Sequence, residues 1–192
     1  MTARLQDLVL VEPEELPQQL PFRPTGPNVD IQRNFDKIPR YLLRVSTPKS
    51  DGLTNQYWTK SWDARLGLSI SCEDIFDLPK ANAASMLNEH LRWSQGIRLD
   101  NLVSWTNSLL FAIQYMLYRH KKHEIAQKDI ELYIIDTTKF SRRTFMNDMD
   151  LITTFSLPNF ELQSFEELRN NSTPLVQAHI TLANTCHKDR GS

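Results

Sequence analysis

"DNLVSWTNSLLFAIQYMLYRH", residues 100–120, decides how the chain is read. "NLVSW", Asn101 to Trp105, reads as a short strand. Leu109, Ala112, Ile113, Met116 and Leu117 then recur at the spacing of one helix face. Between them stand Thr106, Asn107 and Ser108, and Thr106 or Asn107 is the expected helix cap. A strand that runs directly into a helix meets the unpaired N–H groups and the positive dipole end of that helix. Ser104 and Thr106 are two apart, so in an extended chain they face the same side. Such a junction either caps a helix and no more, or holds a polar ligand. Trp105, Tyr115 and Tyr118 are either core and rim or a platform for a flat ligand.

Working outward, "IPRYLLRVST", residues 38–47, alternates Tyr41, Leu43 and Val45 with Leu42 and Arg44, which is strand period. Asp51-Gly52 then marks a turn. Residues 57–71 hold a short strand or irregular structure, and Ser71 is placed to cap a helical turn at "CEDIF". Pro79 opens a helix over residues 80–94, with Ala84, Leu87 and Leu91 on one face. "DIELYIIDTTKF", residues 129–140, is apolar on both faces and is expected to be a central strand. "NFELQSFEELR" reads as an acidic loop, and residues 175–182 alternate as a final strand. The element order predicts an α+β domain on a mixed sheet over residues 38–188. Five prolines between residues 13 and 27 make residues 1–37 an extended arm or linker, either a disordered leader or a strap anchored by Leu20 and Phe22.

Composition removes several classes of function. The 192 residues carry a formal net charge of −1, which gives no general reason for nucleic-acid binding. Cys72 and Cys186 form no C-x-x-C pair, so neither a disulfide framework nor a zinc site is expected. No apolar run is long enough to span a bilayer, and Leu8–Val11 is too short for a signal-peptide core. An intracellular location is expected. The dinucleotide glycine fingerprint, the phosphate loop, the zincin helix and the hydrolase elbow are all missing, and only five glycines are present. His120 and His123 lie among cations, which suits a solvated helix end rather than a metal.

Two residue types remain that carry chemistry. Arg44 sits inside an apolar strand, where a guanidinium needs a partner. It either snorkels to water or an acid, or clamps a phosphate at the mouth of a cleft. Glu161, Glu166 and Glu167 precede the last strand. They are either solvated or stabilise a cationic transition state.

An Arg on the first strand in "YLLRV", a Ser-x-Thr-x-Ser element in "LVSWTNSLLFAIQYM" and a Glu near a late strand together resemble the Arg–Ser–Glu pattern of the ADP-ribosyltransferase fold. The series "IPRYLLRV", "DNLVSWTNSLLFAIQY" and "YIIDTTKF" also looks like an uncharacterised domain found in many filamentous-fungal proteins. The resemblance implies a split β-sandwich with flanking helices and NAD, as substrate, between the sheet halves. It implies that Arg44 holds the phosphates or ribose, that Ser104 supports the nicotinamide ribose, and that Thr106, Ser108 and Tyr115 complete the binding element. A catalytic glutamate would be Glu166, then Glu167, then Glu161. The E-x-E or Q-x-E pair of arginine-modifying members is not matched, since Gln163 to Glu166 has one residue too many. Two functions follow: an NAD-consuming transferase or glycohydrolase acting on a protein or nucleic-acid acceptor, or an inactive member that binds and recognises. A structural domain of a larger protein is the third.

Overall fold

The computed structural model describes residues 21–57, 59–66, 73–92, 100–171 and 180–184. Among the described residues seven strands form: β1 (Tyr41–Ser46), β2 (Leu53–Thr54), β3 (Thr59–Lys60), β4 (Leu102–Thr106), β5 (Glu131–Asp136), β6 (Phe145–Asn147) and β7 (Ile180–Asn184). Five helices accompany them: α1 (Trp62–Leu66), α2 (Lys80–Arg92), α3 (Leu109–His123), α4 (Asp148–Phe155) and α5 (Phe160–Asn171). The domain is α+β. Its main sheet has the order β5-β1-β4-β7-β6, and β2 and β3 form a separate hairpin. Every described pairing is antiparallel, which corrects the expected mixed sheet.

The sheet separates two apolar clusters. Leu102 and Met146 join Phe22, Leu87, Leu151, Phe155 and Leu162 beneath α2, α4 and α5. Val103, Trp105 and Phe145 gather with Leu42 in the other. The alternation of β4 sends neighbouring residues into different clusters, as period two requires.

Several elements differ from expectation for local reasons. β5 ends the described strand order, and Ile134 is 61% exposed, so it is not a central strand. The expected acidic loop is α5. Asn159 Oδ1 accepts from Leu162 N at 2.9 Å, and Leu162 is buried under that first turn. The short turn before α2 is capped by Asp74, which accepts from Phe76 N, and Ser71 lies outside the described residues. Of the final strand, residues 175–179 lie outside them too, as do Cys72, His179 and Cys186. Residues 21–37 pack onto the domain: Phe22 is fully buried, its N–H donates to Arg143 O at 2.9 Å, and Phe35 is buried within a 3-10 helix, Gly26–Lys37. Pro27 stands at the start of that helix, where its missing N–H costs nothing. Among the described residues no helix is long and apolar enough to cross a membrane.

Candidate functional site

The site grows from the junction of β4 and α3. Ser108, and not Thr106 or Asn107, caps α3: its hydroxyl accepts from Phe111 N at 3.2 Å. Thr106 Oγ1 accepts from Ser108 N at 3.1 Å, so the turn is held at both ends. The face of α3 that meets the sheet is also not the expected one. Ala112 is buried, while Leu109, Ile113 and Leu117 are exposed. Ala112, Tyr115 and Arg119 point toward a cleft that β4 floors. Their spacing of three and four keeps them on one face.

This cleft has a volume of about 700 Å³, within the range of small-molecule sites. Arg44, Ser104, Thr106 and Tyr115 all line it. Of the residues singled out by sequence, these four come together, and Trp105 and Tyr118 border the same cleft. Ser108 does not line the cleft, its hydroxyl being used as the cap. Glu166, Glu167 and Glu161 lie on α5 and do not line it either. Glu166 Oε1 accepts from Thr153 Oγ1 at 2.8 Å. Glu161 accepts from Asn88 at 2.7 Å and lies 3.9 Å from Arg92, which reaches the cleft rim.

Arg44 is the centre of the arrangement. Its Nε donates to Thr54 Oγ1 at 3.0 Å and its Nη1 to Ser104 O at 2.8 Å. No described carboxylate lies within ion-pairing distance of it, so pairing with an acid finds no support among the described residues. Burial pulls its pKa down to about 10, against the opposing influence of Tyr115, Asp100 and Asp51, and it remains a cation at neutral pH. Gly52 makes room for it. A Cβ there would lie 2.6 Å from Lys60 O and 3.1 Å from Arg44 Nη2. Gly52→Ala is therefore expected to push the β2–β3 hairpin off Arg44 and destabilise the domain by about 1–3 kcal/mol in a thermal unfolding measurement. An unchanged midpoint would mean that the hairpin yields freely.

Arg119 is the second cation on the cleft. It donates to Thr47 Oγ1 at 2.7 Å and lies 5.8 Å over the Tyr115 ring. Its Nε is buried without a hydrogen-bond partner among the described residues. With Lys49 and Arg92, four cations line the cleft against the carboxylates of Asp51 and Asp100. Phe111, Tyr115 and Tyr118 form a row along α3 with centroids 6.4 and 6.2 Å apart and interplanar angles of 3° and 18°. Trp105 instead packs edge-on to Phe145 as core.

One group escaped the sequence reading. His90, on the buried face of α2, reaches Asp100 Oδ2 with Nδ1 at 3.1 Å and Ser104 Oγ with Nε2 at 2.8 Å. The signal was a histidine three residues after Leu87 and seven after Ala83, on the apolar face of a helix, where a polar ring needs partners. Among the described residues no three of His, Cys, Asp and Glu gather as a metal site.

A family match bears on the whole sheet. Residues 37–183 match the domain of unknown function DUF7587. The chain belongs to this family. The DUF7587 segment runs from before β1 into β7 and so contains every residue of the cleft. Phe22 and Phe35 lie before it yet belong to the core of the DUF7587 domain. No curated protein and no solved structure matches the chain.

Proposed function

We propose that the cleft binds a dinucleotide of the NAD type, and that the domain is ADP-ribosyltransferase-like in its site. The observation that carries this reading is convergence: Arg44, Ser104, Thr106 and Tyr115 line one cleft of about 700 Å³. The chemistry of the donors fits such a ligand. Arg44 and Arg119 suit a diphosphate, because a planar guanidinium offers paired donors to phosphate oxygens. The aligned faces of Tyr115 and Tyr118 suit a flat base or a nicotinamide ring. NAD supplies a glycosidic bond whose cleavage develops positive charge on the ribose.

A transferase or glycohydrolase needs a carboxylate beside that ribose. Glu166 is held by Thr153 and lies outside the cleft, which favours the binding and recognition reading over turnover that depends on Glu166. Under the transferase reading, the acceptor is a protein or a nucleic acid.

The test is calorimetric titration of the purified chain with NAD and with ADP-ribose, alongside a nicotinamide-release assay. Saturable binding of both, with no release and no effect of Glu166→Gln, is expected. Absence of binding would end the dinucleotide reading. Release that falls in Glu166→Gln would restore the transferase.

A further inference from the structure

Ser104, His90 and Asp100 form a hydrogen-bonded chain in the wall of the cleft. His90 is 8% exposed and Asp100 5%, and all three residues line the cleft. Asp100 is fixed from its other side, since its Oδ1 accepts from Leu102 N at 3.1 Å. An ionised carboxylate only accepts, so the proton of a neutral His90 ring sits on Nδ1 and points at Asp100. Nε2 then accepts from the Ser104 hydroxyl at 2.8 Å. This is the order of roles that activates a serine: hydroxyl, base, and a carboxylate that fixes the base's tautomer. The three come from a helix, a loop and a strand, with Asp100 two residues before β4 and Ser104 within it.

The surroundings select a substrate. The Arg44 guanidinium is bonded to the backbone carbonyl of Ser104 at 2.8 Å, so a positive charge is tied to the same residue and lines the same cleft. That charge favours an oxyanion, and it favours a substrate with an anionic group near its reacting carbon. We propose that Ser104 is a nucleophile, and that the cleft hydrolyses acyl esters that carry a carboxylate or phosphate. Ser104 Oγ forms a bond to the acyl carbon while His90 Nε2 takes the hydroxyl proton. The bond from that carbon to the alcohol oxygen breaks, and Nε2 returns the proton to the departing alcohol. Water then attacks the acyl-enzyme, again losing a proton to Nε2. The acid leaves and the Ser104 hydroxyl is regenerated. Ser104 and His90 touch the reacting atoms, and Asp100 is a positioning residue.

The inference stands apart from the dinucleotide reading, because it needs only a reactive hydroxyl. A fluorophosphonate probe tests it: the serine oxygen bonds to phosphorus and fluoride leaves. The full folded chain is expected to be labelled, with the adduct mapped to Ser104 by mass spectrometry. His90→Gln and the isosteric Asp100→Asn are expected to slow labelling about 100-fold or more while the thermal midpoint stays within a few degrees. If His90→Gln does not fold, Ser104→Cys carries the test. Iodoacetamide should then alkylate that cysteine faster than it does the same residue in urea. Measured as acceleration over buffer alone, where the succinate carboxylate assists cleavage of its own ester, the 4-nitrophenyl ester of succinate should gain more from the protein than that of acetate, and the difference should vanish in Arg44→Met. Labelling no faster than in urea, an adduct elsewhere, or equal rates in wild type and Asp100→Asn would each overturn the nucleophile. Equal acceleration of the two esters would overturn the substrate class.

Discussion

Arg44→Met is expected to weaken NAD binding by about 10- to 150-fold, the equivalent of one charge-assisted hydrogen-bonding group at about 1.5–3 kcal/mol. The same change is expected to leave the thermal midpoint unchanged or to raise it. The two halves of this expectation have one cause. Arg44 is half-buried, and its bonds go to a neutral hydroxyl and a carbonyl, at Thr54 and Ser104. Its desolvation is therefore not repaid by a close described carboxylate, and an apolar chain of similar length removes that cost. The Ser104 carbonyl it leaves belongs to a residue that lines a cleft wide enough for water. A structural arginine behaves in the opposite way. A fall of several degrees with binding intact would make Arg44 a brace and remove it from the site. Calorimetric titration and a thermal melt of the same preparation read both halves.

The largest stability effect is expected at Arg169. Its Nη2 donates to Asp148 Oδ2 at 2.7 Å, and Asp148 is fully buried at the first turn of α4. The pair joins α5 to α4. Burial lifts the pKa of Asp148 to about 6, against the opposing pull of Arg169. Arg169→Met removes that pull and strands a buried carboxylate, at a cost of about 3–5 kcal/mol at about pH 8. The sign with pH follows from the raised value. The folded state holds the Asp148 proton more tightly than the unfolded chain, whose aspartates titrate near pH 4. Stability from this group is full below that pH and is lost as pH rises through about 6. In Arg169→Met the folded-state value climbs further, so the loss continues to higher pH. The variant should approach wild type at about pH 5 and fall behind it above about pH 6. Urea unfolding at the two pH values measures this. A pH-independent difference would mean that Arg169 acts through packing, and Asp148→Asn combined with Arg169→Met should recover most of the loss if charge is the cause.

The sequence made some elements legible and hid others for physical reasons. β1 declared itself by alternation, and α2 by Pro79 and its apolar face. The β4–α3 junction was visible because strand-forming and capping residues stand side by side there, although Ser108 took the role expected of its neighbours. In α3 the apolar stripe misled, because packing follows the small residue Ala112, which lets the helix approach the sheet, rather than the largest apolar face. In β5 the residues are apolar on both sides, yet strand order is set by long-range pairing that no local pattern encodes. α5 was hidden by its acids, although Asn159 and Leu162 carried its start. The cleft residues Arg44, Ser104, Thr106 and Tyr115 were legible from their types and positions. His90 was not, because its partners are 10 and 14 residues away and only the fold brings them within bonding distance.

The cleft's four cations outnumber its two carboxylates, in a chain whose net charge is −1. An approaching anion feels little from the molecule as a whole and a net attraction from the cations at this opening. Low-dielectric walls concentrate that field. Encounters are thus sorted by direction before any hydrogen bond forms, over a reach of about one Debye length, roughly 8 Å in physiological salt. For the proposed dinucleotide, salt would act on how often the ligand arrives, whereas the half-buried guanidinium of Arg44 would act on how long it stays.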